Sequence, residues 1–105
     1  IMRTLEHVDA HLSEPLTVRH LAGVARLSVS RFAHLFAEQL GSSPSAYVER
    51  KRMAWAKLLL DLTGRSGADV AGSVGNSDPL YFSTRFRHVE GASPTAYRAR
   101  AARGR

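Results

Sequence analysis

His7 and His11 stand four residues apart with Asp9 between them, a spacing that puts two imidazoles on one helix face, where they could share a metal ion. No third ligand or general base accompanies them, so a surface pair of titratable side chains is the plainer reading. No nucleophile, base and orienting group recur at a recognisable spacing, which argues against an enzyme. None of the 105 residues is cysteine, so thiolate metal sites and disulfide frameworks are excluded and no cofactor is expected. What the chain offers is hydrogen-bond donors. Lys and Arg number 15 against 9 Asp and Glu, a net charge of +6 that suits an acidic partner such as nucleic acid or anionic lipid. No apolar run approaches the ~18 residues of a membrane span, and no signal-peptide pattern opens the chain. The expectation is one soluble, cytoplasmic domain with one core and no membrane partner. Ile1 already lies inside a helical pattern, as in a piece cut from a longer protein.

Positioning those donors falls to helices, because apolar residues repeat at helical spacing and no stretch alternates with period two. Ile1, Leu5, Val8 and Leu12 form one stripe, which Pro15 closes. Thr17 caps a second helix, with Val18, Leu21, Ala22 and Ala25 inward. Ser28 caps a third, packing through Val29, Phe32, Leu35, Phe36 and Leu40 and ended by Gly41. Ser43 and Pro44 start a long helix to about Leu62, with Tyr47, Val48, Ala56, Leu59 and Leu60 on one side. A short glycine-rich helix surrounds Val70, Ala71 and Val74; Asp78 and Pro79 begin another, with Phe82, Phe86 and Val89 inward. Ser93 and Pro94 begin a last helix that fades into a basic tail, residues 98–105. Trp55 reads as a partly buried aromatic, and Tyr81 as core or rim.

Much of this pattern repeats at an offset of fifty residues. Phe32, Phe36, Gly41, Ser43, Pro44, Ala46 and Tyr47 recur as Phe82, Phe86, Gly91, Ser93, Pro94, Ala96 and Tyr97. Upstream, Ala22 and Arg26 answer to Ala71 and Gly75 at an offset of forty-nine. A small residue where two helices cross, and a glycine four positions later for a turn with positive φ, is the signature of a helix-turn-helix. The fold class expected is all-α: seven helices in two such units, about 17–40 and 68–90, joined by the linker helix at about 44–62. Arg26 stands where the turn favours glycine, at a cost of about 1–2 kcal/mol.

The sequence resembles the C-terminal DNA-binding domain of the AraC/XylS family of bacterial transcription regulators. The resemblance runs along nearly the whole chain, through Pro15 to Thr17, Leu21-Ala22, Leu27-Ser28, the Gly41 to Val48 block, Val70-Ala71, Val74-Gly75, Asp78 to Phe86 and Gly91 to Arg98. It implies two recognition helices in successive major-groove segments of double-stranded DNA, an effector or dimerisation domain on the N-terminal side of the full-length protein, and contact with RNA polymerase. The family usually has an apolar residue where Gly67 stands, a buried aromatic at Asn76 and an Arg at Thr84. These departures predict a second unit that is less stable and contributes less to base readout.

In a docked recognition helix the face opposite the core meets base edges. With Phe32, Leu35 and Phe36 inward, that face is Ser30, Ala33, His34 and Ala37, flanked by Arg31 and Glu38. With Phe82 and Phe86 inward, it is Leu80, Ser83, Thr84 and Arg87. Arg31 and Arg87 can donate bidentately to guanine, His34 can donate to a purine acceptor, and Ser30, Ser83 and Thr84 suit bases or phosphates. Leu80 or Ala33 can touch a thymine methyl. Ser28 and Ser43, at helix N-termini, and Arg50 and Lys51 on the linker helix are the phosphate-contact candidates; Arg52 faces inward and suits an ion pair. A helical protein-interaction module with weakened or lost DNA specificity is the alternative. The tail arginines Arg98, Arg100, Arg103 and Arg105 leave only +2 on residues 1–97, so the basic balance by itself specifies no site.

Overall fold

The computed structural model describes residues 1–104; Arg105, counted above with the basic tail, lies outside them. Among the described residues there are seven helices and no strand: α1 (Met2–Ala10), α2 (Val18–Val24), α3 (Val29–Leu40), α4 (Pro44–Leu62), α5 (Gly67–Ser73), α6 (Pro79–Glu90) and α7 (Pro94–Arg103). The chain divides into two compact units, the first residues 1–51 and the second starting at residue 52, with the boundary inside α4. The single core expected from chain length is instead two apolar clusters, because each helix-turn-helix buries its own apolar stripes. Val8, Leu21, Ala22, Phe32, Phe36 and Val48 form the first. Met53, Ala56, Leu60, Val70, Ala71, Val74, Phe82 and Phe86 form the second.

The repeat is visible in the ring packing of each unit. Phe36 meets the edge of Tyr47 at 5.4 Å and 74°, and Phe86 meets Tyr97 at 5.7 Å and 76°. The turns repeat as well. The Leu27 N–H donates to the Ala22 carbonyl (3.0 Å) and the Arg26 N–H to Gly23 (3.1 Å); Asn76 donates to Ala71 (2.9 Å) and Gly75 to Gly72 (3.2 Å). Both are Schellman closures, which need a left-handed residue just past the helix. Gly75 supplies it at φ 89° and Arg26 at φ 58°, the one non-glycine residue with positive φ among those described.

Three sequence expectations change. α1 ends at Ala10 rather than running through Leu12, because the His11 side chain donates through Nδ1 to the His7 carbonyl (2.9 Å) and so satisfies an end carbonyl locally. Val29, expected inward, is exposed as the first residue of α3. Arg98 is not part of a solvated tail. α7 continues to Arg103, and half-buried Arg98 donates from Nε to the Leu60 carbonyl (3.2 Å) and from Nη2 to the Thr63 carbonyl (3.2 Å), closing the C-terminus of α4. Fully buried Thr4, whose Oγ1 has no hydrogen-bond partner among the described residues, was not anticipated as core.

His7 and His11 stack at 4.1 Å, but the imidazole that His7 pairs with is His20, Nε2 to Nε2 at 3.1 Å. Burial, then His11 and His20, hold His7 below its ordinary pKa, with Glu14 opposing. No group of three or more metal-ligating side chains gathers among the described residues. No helix among the described residues is long and apolar enough to cross a membrane.

Candidate nucleic-acid interface

Ser28 starts α3 by accepting the Arg31 N–H on Oγ (3.1 Å), a cap that aligns the helix from its first turn. Phe32 and Phe36 are buried, so Ser30, Arg31, His34, Ala37 and Glu38 are carried to the exposed face, with Ala33 half-buried. His34 Nε2 lies 3.6 Å from the Glu38 carboxylate one turn on. That contact leaves Nδ1 as the imidazole's second ring position, and at this exposure the pair constrains His34 only weakly.

Asp78 starts α6 differently. Its Oδ1 accepts the N–H groups of both Leu80 (3.1 Å) and Tyr81 (3.2 Å), while Pro79 has no N–H to satisfy. The first turn is thereby closed under a carboxylate and cannot serve as a phosphate site. Leu80 and Tyr81 are 78% and 57% exposed. Thr84 is exposed, but its hydroxyl donates to the Leu80 carbonyl (3.1 Å), so only its oxygen lone pairs face outward. Ser83 is half-buried beside an open cleft of about 280 Å³ that Gly67, Pro79 and Pro94 also line. Arg87 is exposed in the last turn; its neighbour Arg85 is half-buried and already engaged.

The phosphate candidates are placed unevenly. Ser28 and Ser43 are exposed, and each spends its hydroxyl as a cap acceptor, Ser43 for the Ala46 N–H at 3.2 Å. Any anion contact there falls to the backbone amides of the helix starts. Arg50 is exposed and donates from Nη2 to Ser42 Oγ (3.0 Å). Lys51 is committed within its own unit, 3.7 Å from Asp9 and 5.6 Å over the Tyr47 ring. Arg52 is half-buried and engaged, and burial lowers its pKa.

Sequence reasoning placed Tyr81 at the core or rim; it is exposed on the outer side of α6. The available signal was spacing: Tyr81, Thr84 and His88 lie three and four apart on the stripe that Phe82 and Phe86 leave outward, and all three are exposed.

Residues 21–100 match the pattern of the helix-turn-helix domain family. The arabinose operon regulatory protein of Escherichia coli (strain K12) is 38% identical over 100 residues, covering 94% of this chain and 34% of that protein. The chain spans about a third of the length of the curated relatives it matches. Among solved structures, the DNA-binding domain of AdpA, in complex with a target DNA, superimposes with a TM-score of 0.95 at 32% identity, over 99% of this chain and 94% of that one. A transcriptional regulator from Chromobacterium violaceum, of the AraC-type DNA-binding-domain proteins, matches with a TM-score of 0.86 at 28% identity, over 96% and 90%. With two capped helix-turn-helix units joined by α4, and with these relatives, the chain belongs to the helix-turn-helix domain family as a DNA-binding domain of the AraC/XylS type.

Proposed function

We propose that the chain is the sequence-specific, double-stranded-DNA-binding part of a bacterial transcription regulator, with α3 and α6 as recognition helices in successive major-groove segments. The observation that carries this reading is the backbone match, over nearly the whole chain, to the AdpA domain in complex with target DNA. The exposed faces of α3 and α6 supply suitable chemistry. Arg31 and Arg87 donate bidentately to guanine O6 and N7, His34 donates to a purine acceptor, Ser30 and Ser83 contact bases or phosphates, and Thr84, its hydroxyl hydrogen spent on Leu80, accepts from a base amino group. Ala33 and Leu80 meet thymine methyls. The amides at the Ser28 and Ser43 helix starts and the Arg50 guanidinium hold phosphates, joined by Lys51 once it leaves Asp9. In the full-length protein an effector or dimerisation domain precedes this part, RNA polymerase is a partner, and the protein works in the cytoplasm.

Fluorescence anisotropy on an operator obtained by in vitro selection tests the reading. Affinity should fall steeply as salt rises, and selected and scrambled duplexes should differ at least a hundredfold, within the roughly 10³–10⁷ range of specific regulators or a decade below it. Arg87→Ala should relax preference at one base pair, whereas Arg50→Ala should weaken all duplexes alike. Equal, weak binding to both duplexes would overturn the proposal and favour a helical protein-interaction module, to which exposed Leu58 and Leu62 on α4 offer apolar surface.

A further inference from the structure

The two recognition helices differ most in the turn that enters the groove first. At the fifty-residue offset, Pro79, Leu80 and Tyr81 of α6 answer to Val29, Ser30 and Arg31 of α3. All six residues are exposed. A hydroxyl and a guanidinium in α3 are thus replaced by an aliphatic and an aromatic side chain in α6. An isolated exposed leucine is ordinary. Three consecutive exposed apolar or aromatic residues at a helix start, with the Leu80 and Tyr81 amides already bonded to Asp78, are not: that turn has few donors left for a phosphate or a base acceptor. The one feature of a major-groove floor that such a surface fits is the thymine C5-methyl.

We infer that the α6 half of the operator is read through thymine methyl groups packed against Leu80 and flanked by Tyr81, while in the α3 half hydrogen bonds from Ser30 and Arg31 add to any methyl contact of Ala33. The inference rests on the DNA-binding reading above and specifies which base chemistry its second helix takes. Guanine, which offers no methyl, is accepted only where Arg87 reaches it, a turn or more along the helix from Leu80.

The test replaces single thymines by deoxyuridine, which removes the methyl and keeps every hydrogen-bonding group. On the selected operator, one or two thymines of the α6 half-site should each lose about fourfold in affinity when changed, the worth of one buried methyl-sized group. In Leu80→Ala the ratio between thymine and uridine duplexes should fall to about one at those positions. In Arg87→Ala overall affinity should drop with the ratio kept near four. Leu80 is exposed, so the variant keeps the core intact, and circular dichroism checks its folding. Selective binding with no thymine-to-uridine ratio, or a ratio that survives Leu80→Ala, overturns the inference and leaves the DNA-binding reading standing. Loss of all selectivity in the unmodified protein overturns both.

Discussion

Arg26→Gly isolates a single energetic term. Arg26 is held at φ 58° by a turn whose two closing hydrogen bonds, 3.0 and 3.1 Å, match the 2.9 and 3.2 Å bonds around Gly75. The substitution therefore gains no bond and removes only the crowding of Cβ in the left-handed region, about 1–2 kcal/mol. Against this stands the greater freedom that glycine gives the unfolded chain, about 0.5–1 kcal/mol. The expected net effect is a stabilisation centred on about 0.75 kcal/mol within a span of about 0–1.5, or roughly 3–6 °C in Tm at the centre for a domain near this size. Gly41→Ala and Gly91→Ala calibrate the term with opposite sign. Both glycines have positive φ and an added Cβ would meet nothing within 4 Å, so each should lose about 0.75 kcal/mol, the left-handed crowding less the freedom removed from the unfolded chain. Urea denaturation followed by circular dichroism reads all three, and hydrogen exchange of the α2 and α3 amides localises the Arg26 effect. An Arg26→Gly protein of lower stability refutes the strain argument. A stabilised protein whose DNA affinity loses about one unit of salt slope would show instead that this exposed guanidinium contacts a phosphate, with strain retained for binding.

Other outcomes follow from single contacts. Arg98→Ala removes two hydrogen bonds from a half-buried guanidinium to the end of α4 and should cost about 1–3 kcal/mol, read by Trp55 fluorescence during urea unfolding; Arg98→Lys should recover part of it. Gly67→Ala places its Cβ 3.9 Å from Pro94 Cβ, an ordinary contact at the start of α5, so about 0.5 kcal/mol of stabilisation is expected from helix propensity and reduced unfolded-state freedom. His7 resists protonation in the folded state, so the unfolded state binds its proton first. Stability should be full above about pH 6.5, the ordinary histidine value, and decline as pH falls below it until folded His7 also protonates. A urea-midpoint profile from pH 7.5 to 5.5, flatter in His7→Gln than in the unmodified protein, checks the sign.

The helices were legible because their boundaries are local chemistry. Thr17, Ser28, Ser43, Asp78 and Ser93 each accept an N–H in the turn they precede, and Gly41 and Gly91 close α3 and α6 at φ 75° and 81°. Partners distant in sequence were not legible. The spacing of His7 and His11 suggested a pair, and the two rings do stack, but spacing could not show that the His7 imidazole bonds the His20 ring, thirteen residues away. Arg98 looked like one charge of a terminal basic run, yet it sits 35 and 38 residues from the carbonyls it caps. At the candidate interface, helical spacing located the outer faces, but it could not tell that Ser83 is half-buried or that the Thr84 hydroxyl is spent on its own helix.

The placement of charge follows the same division between local and distant partners. Lys57 is paired with Glu90 at 3.2 Å and Arg98 with carbonyls, while Arg31, Arg87, Arg100 and Arg103 are exposed. The cations held in contacts support the fold, and their removal should appear as lost stability. The exposed ones retain their charge for a partner, and their removal should appear as lost affinity with little change in stability. Arg100 and Arg103 ride on formed helix rather than on a loose tail, so their charges occupy fixed positions along α7. A positioned pair of this kind favours particular phosphates over a diffuse anionic surface. Arg100→Ala and Arg103→Ala should therefore differ from each other in their effect on DNA affinity; a disordered tail would make them interchangeable.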